Sequence, residues 1–182
     1  DHTGFYSLTD LYPRFHITAT THRRDAIYPA TLVGIPPQED AYIGKASEKI
    51  FLAPIRLAIQ PEIEDMTMPF EGTAHNIVVI SLRKRYAGQT AKVVQSLWGA
   101  GQMMFNKYMI ATPQGSDVRN NSTLAALLRR VNTARDIIRS EGIYDVLDHA
   151  TATNGYGGKL AIDTTDIDPQ SKVEPYNLHK DI

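Results

Sequence analysis

One stretch, Asn76 to Thr112, constrains the fold more than any other, because its apolar pattern changes period twice. Asn76-Ile-Val-Val-Ile-Ser-Leu82 is an apolar, β-branched run bounded by Arg83-Lys84-Arg85 and a turn at Gly88, which predicts a buried strand. Ala91, Val94, Leu97 and Trp98 then recur at helical steps, so a helix should carry them on one face and turn Lys92, Gln95 and Ser96 away. Lys107-Tyr-Met-Ile-Ala-Thr112 resumes the strand pattern, ended by Pro113. Such a helix returns the chain to the same end of the sheet, so the strands should be parallel and the crossover right-handed. The expected class is α/β: a three-layer domain with a mixed β-sheet and helices on both faces, containing a βαβ unit at about 76–112.

The remaining segments are placed around this unit. Phe15-His-Ile-Thr-Ala-Thr-Thr-His22 alternates and predicts a strand. His16 and His22 would then stand roughly 20 Å apart, too far to share a metal. Gly34-Ile-Pro-Pro-Gln-Glu-Asp40 reads as a surface loop. From Ala41, the spacing of Ile43, Ala46, Ile50, Phe51, Ile55 and Ala58 predicts a helix over 41–59, with Asp40 as N-cap and Pro54 kinking or dividing it. Pro61 to Met68 reads as an edge strand. Ser122 should cap a short helix burying Leu124, Leu127, Leu128 and Val131, and Arg135 to Arg139 should be another strand.

Charge and composition exclude several functions. Nineteen basic and twenty acidic residues leave a formal charge of −1, so no long-range field gathers nucleic acid or an anionic membrane. With no cysteine, disulfides, thiolate nucleophiles and cysteine-bound metals are excluded, and a reducing cytoplasm is permitted. No apolar run reaches membrane-spanning length and no signal-peptide pattern opens the chain, so a soluble, cytoplasmic protein without a transmembrane segment is expected. The first residue is Asp1, within a polar and aromatic segment, which suggests a fragment.

No motif carries chemistry by spacing alone. Gly155-Tyr-Gly-Gly-Lys159 has the look of a phosphate loop, but Thr153 stands where a first glycine is needed and Leu160 where a hydroxyl is needed, so a turn is the better reading. Arg83-Lys84-Arg85 suits a solvated strand end. In Trp98-Gly-Ala-Gly-Gln-Met-Met-Phe105, two glycines close a good helix; this is either a glycine cap feeding a core strand or a ligand wall. Asp148 and His149 are adjacent and point apart, so they form no dyad by themselves.

Several passages together resemble the UbiD-type decarboxylases, the 3-octaprenyl-4-hydroxybenzoate carboxy-lyase family. They are Thr21 to Asp40, Pro61-Glu-Ile-Glu-Asp65, Pro69-Phe-Glu-Gly72, Lys84-Arg-Tyr-Ala-Gly88, Leu97 to Lys107 and Leu147-Asp-His-Ala150, in the family's order over most of 1–165. The resemblance implies the C-terminal part of an enzyme that removes carboxylate from a hydroxybenzoate-like or other unsaturated acid, with prenylated FMN and a divalent metal, in a pathway such as quinone biosynthesis. Residues 1–14 would leave the flavin-binding domain, 15–165 would form the C-terminal α/β domain, and 166–182 a tail or linker. The family's catalytic Arg and Glu residues and its metal ligands would precede Asp1, so no catalytic or metal-binding residue is expected in this chain. The fragment alone should be inactive and bind no cofactor tightly.

By the same resemblance, Ile27, Met103, Met104, Phe105 and Leu147 should line the substrate pocket, and Gly101 and Gln102 should lie by the cofactor. Some relatives carry Lys or Arg near Gly101 or Gln102 to reach the flavin phosphate, and this chain does not. The expected partners are a small carboxylic acid, the flavin-binding domain and further copies of the chain. An alternative is an assembly module without chemistry of its own; a phosphate-binding protein built on Gly155 to Lys159 is a third.

Overall fold

The Asn76 to Thr112 pattern becomes two parallel strands joined by a helix, and the rest of the sheet is added on either side of them. The structure, a computed structural model, describes residues 1–166 apart from 8 and 74. Except for Asp166, the expected tail over 166–182 lies outside them. In chain order the elements are α1 (Glu39–Ala58), β1 (Ile63–Thr67), β2 (Ile77–Leu82), α2 (Gln89–Trp98), β3 (Tyr108–Pro113), α3 (Asn121–Leu128), β4 (Ile137–Ile143) and β5 (Tyr156–Asp163). Short 3₁₀ turns occupy Phe70–Gly72 and Gly101–Phe105.

The described strands form one mixed sheet in the order β1-β2-β3-β5-β4. The three central strands β2, β3 and β5 are parallel, and β1 and β4 are antiparallel edges. Val78, Ile80 and Leu82 of β2 share a face with Met109 and Ala111 of β3 and Ala161 of β5, since Val78 pairs with Met109 and Met109 with Ala161. Val93, Val94, Leu97 and Trp98 of α2 pack on that face and complete the main core. The stripe of α2 is displaced slightly from expectation: Val93 is buried and Ala91 only half-buried.

Several expectations are corrected. Phe15 to His22 forms no strand; every residue of it is exposed, and alternation cannot make a strand without a neighbouring ladder. α1 begins at Glu39 after Gln38, not after an Asp40 cap, and Pro54 neither divides nor ends it. α3 is capped by Asn120, whose side chain accepts from the backbone N–H of Ser122 and Thr123 at 2.9 and 3.1 Å, so Ser122 lies inside the helix. The glycine-rich Gly155 to Lys159 is a turn only at its start, because from Tyr156 it is β5.

Of the apolar stripe of α1, Ile55 joins the core but most of the rest does not face it. The buried residues of the helix are Ala41, Glu48 and Ile55, a narrow line two turns apart, while Ile43, Ile50 and Phe51 are more than half exposed. The helix is tied to β1 through Glu48, which accepts from Met68 N at 2.7 Å and Thr67 Oγ1 at 3.1 Å and pairs with Lys45 at 3.3 Å. Arg119 reaches the same carboxylate at 3.4 Å and donates to Met66 O at 2.9 Å. This polar line turns the remaining apolar face of α1 outward.

Candidate functional site

That outward face is one wall of a cleft of about 560 Å³. Ile43, Gly44, Phe51, Pro54, Ala58 and Ile59 line it from α1 and the residue after it. Met66 and Met68 form the floor, and the opposite wall is Ala100, Gly101, Gln102, Met103 and Asn106. Polar groups collect toward one end, where His2, His75, Asp145 and Asn106 stand. The wall at 100–106 exists because Gly99 stops α2 and Gly101 takes φ +49°, a left-handed conformation that turns the chain before β3.

His75 Nε2 lies 3.8 Å from Asp145 Oδ2, and its ring meets His2 edge-on at 5.6 Å and Phe105 at 6.4 Å. Burial pushes the His75 pKa below the usual imidazole value, against the Asp145 carboxylate, which pulls it up. Asn106 donates through Nδ2 to His75 O, and its Oδ1 is buried without a hydrogen-bond partner. A ligand donor in the cleft would satisfy that oxygen.

The predicted site residues are divided by the fold. Gly101, Gln102 and Met103 line the cleft. Met104 and Phe105 are half-buried behind that wall, with Phe105 against His75. Leu147 is half-buried in the turn that supplies Asp145. Ile27 is 86% exposed on the N-terminal segment and does not line the cleft. Asp148 and His149 part company: Asp148 pairs with Lys107 at 2.6 Å, while the His149 ring meets that of Phe5 at a tilt, 5.0 Å between centroids.

Sequence reasoning missed His75, Asp145 and Glu48, since each lies in a stretch where no local pattern distinguishes a cleft residue from a surface one. The apolar stripe of α1 was the available signal for the second wall, and it was used only to predict the helix. Among the described residues no lysine or arginine lines the cleft. No group of three or more His, Asp or Glu among them is arranged to hold a metal ion.

Residues 41–164 match the profile of the 3-octaprenyl-4-hydroxybenzoate carboxy-lyase C-terminal domain, and residues 1–36 that of the same enzyme's Rift-related domain. An uncharacterised protein of Archaeoglobus fulgidus is 43% identical over 167 residues, 91% of this chain and 34% of that protein. One of Aquifex aeolicus is 44% identical over 166 residues, again 91% of this chain and 34% of the relative. The chain thus spans about a third of the length of these relatives.

Among solved structures, vanillic acid decarboxylase of Sedimentibacter hydroxybenzoicus in its open form has the same fold, with TM-score 0.69 and 24% identity over 87% of this chain and 34% of that one. The UbiD-class enzyme HmfF of Pelotomaculum thermopropionicum, in complex with FMN, aligns with TM-score 0.66 and 20% identity over 87% of this chain and 36% of that one.

Proposed function

Because the chain belongs to the UbiD family, we propose that it is the C-terminal part of a prenylated-FMN-dependent carboxy-lyase and forms one wall of that enzyme's substrate cleft. The hydroxybenzoate in the family's name and the vanillic acid of one structural relative make an aromatic or unsaturated carboxylic acid the substrate class. The observation that carries the reading is the cleft between α1 and the Gly101–Phe105 turn: apolar side chains on both walls and a polar end at His75 and Asp145. Such a surface accepts an apolar ring and excludes water from it.

The residues present do not fit the flavin's phosphate. Lys107 is paired with Asp148 and Lys159 with backbone carbonyls, and no lysine or arginine among the described residues lines the cleft. We therefore place the phosphate, its metal and the catalytic acid and base on parts of the protein outside this sequence, and expect this chain alone to be inactive. When bound, the flavin would supply the electron sink for decarboxylation. The part of Met103, Gln102 and the α1 face is to orient the acid's apolar body and keep the site dry.

The test is the full reading frame containing this chain, co-expressed with a flavin prenyltransferase and compared with the chain alone. A bound-flavin absorption spectrum and carbon dioxide release from an aromatic acid panel are expected for the longer protein only. Met103→Trp should shift the panel toward smaller acids, lowering kcat/KM for the larger ones tenfold or more. No flavin and no release under these conditions would remove the enzyme assignment.

A second reading has its own observation. Leu11, Phe15, Ile17, Ile27, Tyr28, Leu32 and Ile35 are all at least 70% exposed, an apolar surface that needs a partner. An assembly role, with the flavin domain or another copy covering this segment, would leave carbon dioxide release unaffected by pocket substitutions.

A further inference from the structure

The Gly101–Phe105 turn has two unlike ends. At its start, Gly101 is exposed and a Cβ there would meet nothing within 4 Å. At its end, Asn106 is 1% exposed. Lys107 N and Tyr108 N, the next backbone donors, turn to Asn76 O at 3.0 and 2.8 Å, which ties the chain after the turn to the residue before β2. Lys159, from the middle of β5, meets the carbonyls at this end of the turn: its Nζ donates to Met104 O at 2.5 Å and to Asn106 O at 2.6 Å.

Lys159 is only 4% exposed, and the fold is shaped to admit it. Its ammonium stands 5.9 Å from the Trp98 ring and 5.5 Å from the Tyr144 ring. Gly142 of β4 and Gly157 of β5 are cross-strand partners, and each clears space for this cluster. A Cβ on Gly142 would come 2.7 Å from Lys159 Cε, and one on Gly157 would come 2.7 Å from the Tyr144 ring. A lysine buried where the carbonyls of an irregular turn converge serves that turn.

We infer that Lys159 is a positioning residue for the cleft: from β5 it clamps the C-terminal end of the Gly101–Phe105 turn and so sets where Met103 and Gln102 stand in the wall. Burial and the nearby Lys107 lower the Lys159 pKa to about 8, against the charged form, yet this is still above neutral pH, so the ammonium that donates to the two carbonyls is the main form at pH 7. The clamp is a property of the chain itself; its effect on turnover rests on the carboxy-lyase reading.

The test uses Lys159→Met and Gly142→Ala in the full reading frame. Gly142→Ala keeps the lysine and displaces its Cε, so it carries the test even where Lys159→Met does not fold. Amide hydrogen exchange is followed in peptides covering 100–107 and, separately, in β2 and β3. The clamp predicts at least tenfold faster exchange at 100–107 in either variant, with β2 unchanged. It also predicts a tenfold rise in KM with a smaller change in kcat and an unaltered flavin spectrum. Exchange at 100–107 equal to wild type in a folded variant, or protection lost evenly across the sheet, would overturn it. Wild-type protein without carbon dioxide release would sink the carboxy-lyase reading alone, because exchange still decides on Lys159.

Discussion

At the scale of single residues, the buried charges of this chain are held by backbone as much as by counter-ions. Glu48 accepts from Met68 N and Thr67 Oγ1, so Glu48→Ala strands a buried N–H and takes one carboxylate partner from Lys45 and Arg119, which keep Met68 O and Asp65 respectively. A loss of about 2–3 kcal/mol in urea denaturation is expected. Lys159 gives a pH dependence with a definite sign. Its folded pKa is about 8 and its unfolded value about 10.4, so between them the unfolded chain holds more protons. Stability should therefore rise as pH climbs from about 8 toward 10, by up to about 1.4 kcal/mol per unit.

The titratable groups acting on Lys159 are Lys107, itself paired with Asp148, and Tyr144, whose ring lies 5.5 Å from its ammonium. Burial pushes the Tyr144 pKa above its usual value, which leaves pH 7.5–9.5 as a clean window. Denaturation midpoints across that window should rise in wild type and stay level in Lys159→Met; a level wild type would contradict the lowered Lys159 pKa.

At the scale of elements, the strongest patterns were legible and the caps were not. The strand at 76–82, the helix after Gly88 and the strand ending at Pro113 follow from runs in which every local signal agrees. The α3 cap was misplaced because Asn120, Asn121, Ser122 and Thr123 can all cap a helix, and only the path of the chain selects one. Asn120→Ala should cost about 1 kcal/mol, whereas Ser122→Ala should change stability by less than about 0.5 kcal/mol; equal effects would return the cap to Ser122.

The glycines of β5 were taken for a turn because glycine is rare inside strands. Gly157 is there for the ring of Tyr144, which lies against the backbone and donates its hydroxyl to Gly158 O. Gly157→Ala should lower stability by about 1–3 kcal/mol, measured by thermal unfolding.

At the scale of the whole molecule, residues 9–33 stand apart from the sheet with almost every side chain exposed. Limited proteolysis of this chain should cut there first and leave a core beginning near α1. The same bonds should be protected in the full reading frame if the flavin domain covers them, and equal cleavage in both would argue against that cover.

The sequence by itself determined the α/β class, the parallel βαβ unit and the edge position of β1, because each depends on contacts between near neighbours or on a hydrophobic period visible along a few turns. The family resemblance, carried by several motifs in order, was legible for the same reason. Tertiary structure alone decided the site. It set α1 on the line Ala41, Glu48 and Ile55, so that much of the apolar stripe that marked the helix became a cleft wall. It also brought Lys159 beneath a turn more than fifty residues earlier in the chain. A stripe records that a face is apolar, but what lies opposite depends on strand order and helix rotation, which are set by contacts far apart in sequence.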